Sequence, residues 1–280
     1  MLFLILAIIC SSSLAIILKL GSVKKSNITL LINANYLIAS VIALIFVLAN
    51  DGFHFSLYAT LFAIVLGVLF AETFVIYSKG ISLAGTALAT VSARLSVVIP
   101  VLFSTILFGE KPTVNMFVGF GLTLTTLYFF YLSLKNQSTS SDSSSKYFYL
   151  FLLLIGIGTV DFSMKIFERV FSRIEKETFV FLIFFFAFIY TLVKILVKKI
   201  SFNKETYKIG LLLGLPNVFA IHFVLLALSQ LPAIVVFPIQ NIGVIVVTAI
   251  IAYMIWKEKI NLYGRIAIII GIAAIIMLKL

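Results

Sequence analysis

Ten apolar stretches follow one another along this chain, each about as long as a bilayer crossing requires. They cover Leu2–Leu20, Thr29–Ala49, Leu57–Lys79, Leu83–Phe108, Val114–Leu134, Tyr147–Glu168, Glu177–Val197, Tyr207–Ser229, Ala233–Trp256 and Leu262–Leu280. A helix needs roughly 20 apolar residues to cross the hydrocarbon core. Within that core each backbone N–H and C=O must be paired by the structure itself, which leaves helices and closed barrels. These runs are too long and too continuously apolar for the alternating ten-residue strands of a barrel. The sequence therefore predicts an all-α integral membrane protein with ten transmembrane helices.

Composition supports a lipid-facing surface. Only 11% of the 280 residues are charged and 62% are hydrophobic, whereas soluble domains carry about 25% charged residues. The net charge of +11 does not indicate nucleic acid, because the Lys and Arg residues gather in short loops between apolar runs, where they orient a membrane protein. Cys10 is the single cysteine, so no intramolecular disulfide is possible. Met1–Ala15 lacks the basic start of a signal peptide, and Ile9 is too large for a lipoprotein cleavage site, so the segment reads as a retained first helix.

The longest polar insert, the Ser-rich run from Asn136 to Lys146, falls almost at the midpoint. Such a composition buries no core and reads as a linker. Comparing residue n with residue n+148 places Leu83 on Leu231, Val91 on Ile239, Phe108 on Trp256, and Glu110-Lys111 on Glu258-Lys259. At an offset of 146, Lys19 falls on Lys165. Apolar matches are cheap in a membrane protein, so the charged positions carry this argument. The expected organisation is a first repeat over 1–134, a linker over 135–146 and a second repeat over 147–280. Five spans per repeat force opposite insertion, which gives an inverted repeat with a substrate site near the midplane.

With ten spans, one face receives Lys24, Lys25, Lys79, Lys135, Lys146, Lys198, Lys199, Lys204, Lys208, Lys257 and Lys259. The face bearing both termini receives Lys111, Arg169, Arg173, Lys176 and Lys279. The excess of positive charge marks the first face as cytoplasmic and puts both termini outside. The expected location is a bacterial plasma (inner) membrane.

A further pattern lies at the ends of the fourth and ninth spans, Ile106-Leu107-Phe108-Gly109-Glu110-Lys111 and Met254-Ile255-Trp256-Lys257-Glu258-Lys259, followed by Gly119 and Gly121, then Gly264 and Gly271. With ten spans in a five-plus-five repeat, the chain resembles the EamA-like branch of the drug/metabolite transporter superfamily. The resemblance covers essentially the whole chain. It implies a transporter fold and class without naming a solute, since members carry amino acids, sugars, nucleotide sugars and drugs. Many members are held to have cytoplasmic termini, and the lysine distribution here departs from that.

Charged side chains within spans are costly and usually face a cavity or a partner. Glu72 in the third span and Arg94 in the fourth lie at comparable depth, so a hairpin with its loop near Gly80–Leu83 could join them as a structural ion pair or as a substrate or proton site. Asp161 sits mid-span with Lys165 one turn on, a spacing that allows a local salt bridge or a functional site. Ser11, Ser12 and Ser13, on the helix that the repeat matches to the sixth, serve either substrate binding or close helix packing. Asn217 and His222 in the eighth span, and Pro238, Gln240 and Asn241 in the ninth, add polar groups. The repeat matches Gln240 to Ser92, with Pro100 eight residues further along the fourth span. His222 could titrate near neutrality or simply bond between helices. The Phe184–Phe186 run reads as packing or lipid-facing.

There is no metal-ligand set, nucleophile triad, Walker loop or dinucleotide fingerprint, so no cofactor is expected and transport would draw on ion gradients or exchange. Glu72 or Asp161 could carry a proton, while Arg94 and Lys165 could instead receive an anionic solute. The expected partners are a small-molecule solute, the bilayer and protons, and the glycines of helices five and ten offer a homodimer contact that crosslinking would test. A non-transporting sensor or scaffold, or a membrane-embedded enzyme, is the rival reading. The first would be expected to carry a soluble domain or long tails, and the second a clustered His, Asp or Ser constellation.

Overall fold

The computed structural model describes residues 1–23, 27–50, 52–135, 144–256 and 261–279. Their order is α1 (Leu2–Val23), α2 (Ile28–Ala49), α3 (Leu57–Leu95), α4 (Val98–Phe108), α5 (Val114–Lys135), α6 (Ser144–Val170), a short 3-10 turn (Arg173–Glu175), α7 (Lys176–Val197), α8 (Lys204–Leu228), α9 (Ala233–Trp256) and α10 (Leu262–Lys279). No strand occurs among them. Among the described residues nine segments are long and apolar enough to cross a membrane, and Leu2–Leu18 forms a shorter apolar helix.

Short polar residues start several helices. The side chain of Asn27 accepts from the N–H groups of Thr29 and Leu30, Ser56 accepts from Ala59, and Asn203 accepts from Thr206. Each satisfies first-turn donors that have no partner within the helix.

The loop expected at Gly80–Leu83 is helical instead, and α3 runs without a break to Leu95. The chain nevertheless reverses within it. The Tyr77 and Thr90 hydroxyl oxygens lie 3.5 Å apart, where a straight helix would separate residues 13 apart by about 20 Å. A Cβ on Gly80 would sit 3.7 Å from that of Ala89. The third and fourth spans, Leu57–Ile81 and Ala89–Phe108, thus form the expected hairpin, with a turn that keeps helical hydrogen bonding. Retaining those bonds satisfies the backbone at membrane depth.

Helix packing follows the repeat. Exchanging α1 with α6, α2 with α7, α3 with α8 and α4 with α9 turns the α1–α8 contact into α6–α3, α2–α8 into α7–α3, and α1–α9 into α6–α4, and all six contacts occur. Helices α2 and α7 pack on each other, as do α5 and α10, so the matching elements of the two halves meet directly. Lipid supplies no hydrophobic drive for helix association, so close backbone approach matters. A Cβ on Gly214 of α8 would lie 2.5 Å from the carbonyl oxygen of Asn35 on α2, and one on Gly67 of α3 would lie 2.7 Å from that of Ile183 on α7. These are symmetry-related contacts made at nearly the repeat spacing. The buried core between the halves includes Tyr36, Phe184, Phe237 and Leu213. Phe184 is fully buried while Phe185 is 37% exposed, so the Phe run divides between packing and the outer surface.

Candidate functional site

The polar groups expected from the sequence fall into separate clusters. In the first, Arg94 ends α3 within the fourth span and reaches α9, where its Nη1 donates to Oδ1 of Asn241 at 3.1 Å. Asn241 is itself oriented, because its Nδ2 donates to the Phe237 carbonyl at 3.0 Å, just before Pro238 in the helix. The Arg94 Nε is buried and unpaired among the described residues. Asp161 on α6 interacts electrostatically with Arg94 but makes no hydrogen bond or direct ion pair among the described residues. Both side chains are half-buried. An arginine from the first half and a carboxylate from the second thus lie within electrostatic reach of each other without closing a salt bridge. A buried polar atom is normally hydrogen-bonded, so the Arg94 Nε retains a donor that a ligand can take, and the Asp161 carboxylate stands beside it without a hydrogen bond among the described residues.

Glu72 is not Arg94's partner. It accepts from Lys194 and Tyr190 of α7 and is 34% exposed. The hairpin does bring Glu72 and Arg94 together in the fold, but one bonds to α7 and the other to α9, so the structural ion pair, one of the two readings the sequence left open, does not form. The local salt bridge that the Asp161 and Lys165 spacing allowed does not form either: Lys165 pairs with Glu110 at 3.0 Å and Glu168 at 2.9 Å, not with Asp161. Glu110, closing the fourth span, offers a carboxylate that reaches across to α6, and Glu168 takes Lys165 from the next turn of its own helix.

The remaining candidates are dispersed. Ser92 turns to α6 and donates to the Leu150 carbonyl, away from its repeat counterpart Gln240, which donates to Ser11 of α1 at 3.4 Å. Asn217 donates to Oδ1 of Asn35 on α2 at 3.1 Å. His222 Nδ1 lies 3.3 Å from Glu177 of α7, and Lys176 holds the other oxygen of Glu177 at 2.9 Å. Ser12 is buried with a hydroxyl unpaired among the described residues, while Ser13 bonds back to its own helix at Ile9.

Sequence reasoning passed over Asn35, Tyr190 and Lys194, and gave Glu110 no role beyond its pattern. Lys194 and Asn35 stand inside apolar runs, a signal of the kind that picked out Glu72; Tyr190 had none. The Glu258 half of the pattern, together with Lys257, Lys259 and most of the linker, lies outside the described residues. No cluster of metal-binding side chains occurs among the described residues.

A family model for the EamA-like transporter family matches residues 1–132 and 144–280. The chain belongs to the EamA-like transporter family, within the drug/metabolite transporter superfamily, and is an integral multi-pass membrane protein. An uncharacterized protein of Haemophilus influenzae is 27% identical over 290 residues, covering 98% of this chain and 96% of that protein. A protein of known crystal structure shares the fold with a TM-score of 0.81 at 16% identity, across 100% of this chain and 97% of the other.

Proposed function

We propose that this protein is a secondary transporter that moves a small organic metabolite by alternating access, with the solute held between α3, α6 and α9. It acts as a carrier rather than an enzyme, in a bacterial plasma membrane, with both termini outside. The observation that carries this reading is the Arg94–Asp161 pair, contributed by opposite halves and left without a salt bridge. Arg94 offers the Nε donor, which is free of any partner among the described residues, to an anionic group of the solute. Asp161 is the proton carrier: its carboxylate has no hydrogen-bond partner among the described residues, so proton uptake disrupts no structural contact. Glu72 is less suited, because Lys194 and Tyr190 already occupy it.

Purified protein in liposomes tests the reading, challenged with amino acids, sugars, sugar phosphates and organic cations, with and without a pH gradient. Solute-dependent charge movement or radiolabel exchange that Arg94→Ala abolishes supports transport at this site. Silence across the whole panel in both assays overturns it and favours a sensor or scaffold.

A further inference from the structure

The strongest unassigned cluster lies at the membrane face bearing the termini. Lys165 is 2% exposed and bridges two carboxylates, Glu110 at 3.0 Å and Glu168 at 2.9 Å. Glu110 is 4% exposed, and both of its oxygens accept from the N–H of Ala233, at 3.2 and 3.0 Å. Ala233 is the first residue of α9, whose free N–H groups and positive dipole end favour a carboxylate. Arg169 lies at the rim, 3.8 Å from Glu168.

This cluster joins the halves. Glu110 follows α4 in the first half, whereas Lys165, Glu168 and Ala233 belong to the second. Each of the three segments involved also carries a group of the candidate site deeper in the membrane. On α6, Asp161 lies one turn below Lys165. On α9, Gln240 and Asn241 lie about two turns below Ala233. On the fourth span, Arg94 lies below Glu110. The ion-pair cluster therefore sits over the polar site on the termini face, and the halves cannot part there while it is closed. Separation strands the Glu110 carboxylate, which loses both Lys165 and the Ala233 N–H while Lys165 keeps Glu168, and an unpaired buried charge is strongly unfavourable.

We propose that Glu110, Lys165 and the N-terminus of α9 form a lock that seals the candidate site from the termini face, opened when the halves part during transport. This gives the Glu that closes the fourth span a specific task. It rests on the alternating-access reading above, but its test needs no solute.

A reporter thiol is placed at Ser11, which contacts Gln240 below the lock, in a Cys10→Ser background. A membrane-impermeant maleimide is applied to one face at a time, using intact cells and inverted vesicles. With the lock intact, labelling from the termini face is slow. Glu110→Gln keeps an acceptor for Ala233 but loses the charge, and it should raise that rate at least tenfold, as should Lys165→Met. Glu110→Asp should remain close to the parent. The rate from the opposite face should not rise. If both Glu110→Gln and Lys165→Met leave the termini-face rate within twofold, the lock does not exist. A rise on both faces alike marks general loosening and equally overturns it. Failure of solute flux in the parent protein would sink the transporter reading while leaving this labelling result intact.

Discussion

Arg94 and Asn241 meet across the two halves of the molecule, the guanidinium donating to the amide oxygen at 3.1 Å. A neutral partner orients the arginine without cancelling its charge, and the Phe237 carbonyl fixes the amide in turn. Hydrogen bonds to charged groups contribute about 1.5–3 kcal/mol. Asn241→Ala is therefore expected to weaken solute binding by roughly 10- to 100-fold, read as a raised half-saturation concentration in liposome flux, with Arg94→Lys at least as severe. Unchanged binding in both variants would remove this pair from the site.

Asp161→Asn should abolish the response of flux to a pH gradient while solute exchange at equal pH persists. The amide preserves shape but takes no proton. Flux that still follows the gradient in this variant would exclude Asp161 as the proton carrier.

Glu72→Gln should leave pH-driven flux in place and act on stability instead. Glu72 links α3 to α7 through Lys194 and Tyr190. The carboxylate is about a third exposed, so screening reduces the loss to on the order of 1 kcal/mol. A lower melting temperature in detergent with intact coupling is the expected result, and lost coupling would restore Glu72 as a candidate.

Two glycines give opposite expectations. Gly214→Ala forces a methyl group against the α2 backbone, 2.5 Å from the Asn35 carbonyl oxygen, and should cost about 1–3 kcal/mol. Gly121→Ala meets nothing within 4 Å and should be neutral, or stabilising by up to about 1 kcal/mol through helix propensity. Thermal melts of the two variants check the pair, and equal shifts would contradict the α2–α8 contact.

A cysteine at Lys279 should react with an impermeant thiol reagent from outside intact cells, and one at Lys204 only in inverted vesicles. The reverse pattern would show that the lysine distribution misassigned the orientation.

The apolar runs determined the spans, because a backbone in hydrocarbon has few ways to satisfy its polar groups. The charged matches, Glu110 with Glu258 and Lys19 with Lys165, made the two halves legible, and the odd number of spans in each made them inverted. The polar residues within spans were also visible, Arg94 and Asp161 among them, since such residues are rare and expensive there. Their partners were not. Linear spacing joined Glu72 to Arg94 and Asp161 to Lys165, yet Glu72 went to Lys194, and Lys165 went to Glu110 across the interface between halves. Depth can be counted along a helix, but the direction a side chain faces depends on helix rotation. That rotation is set by contacts such as Gly214 against α2 and Gly67 against α7, and only the packed tertiary structure supplies them.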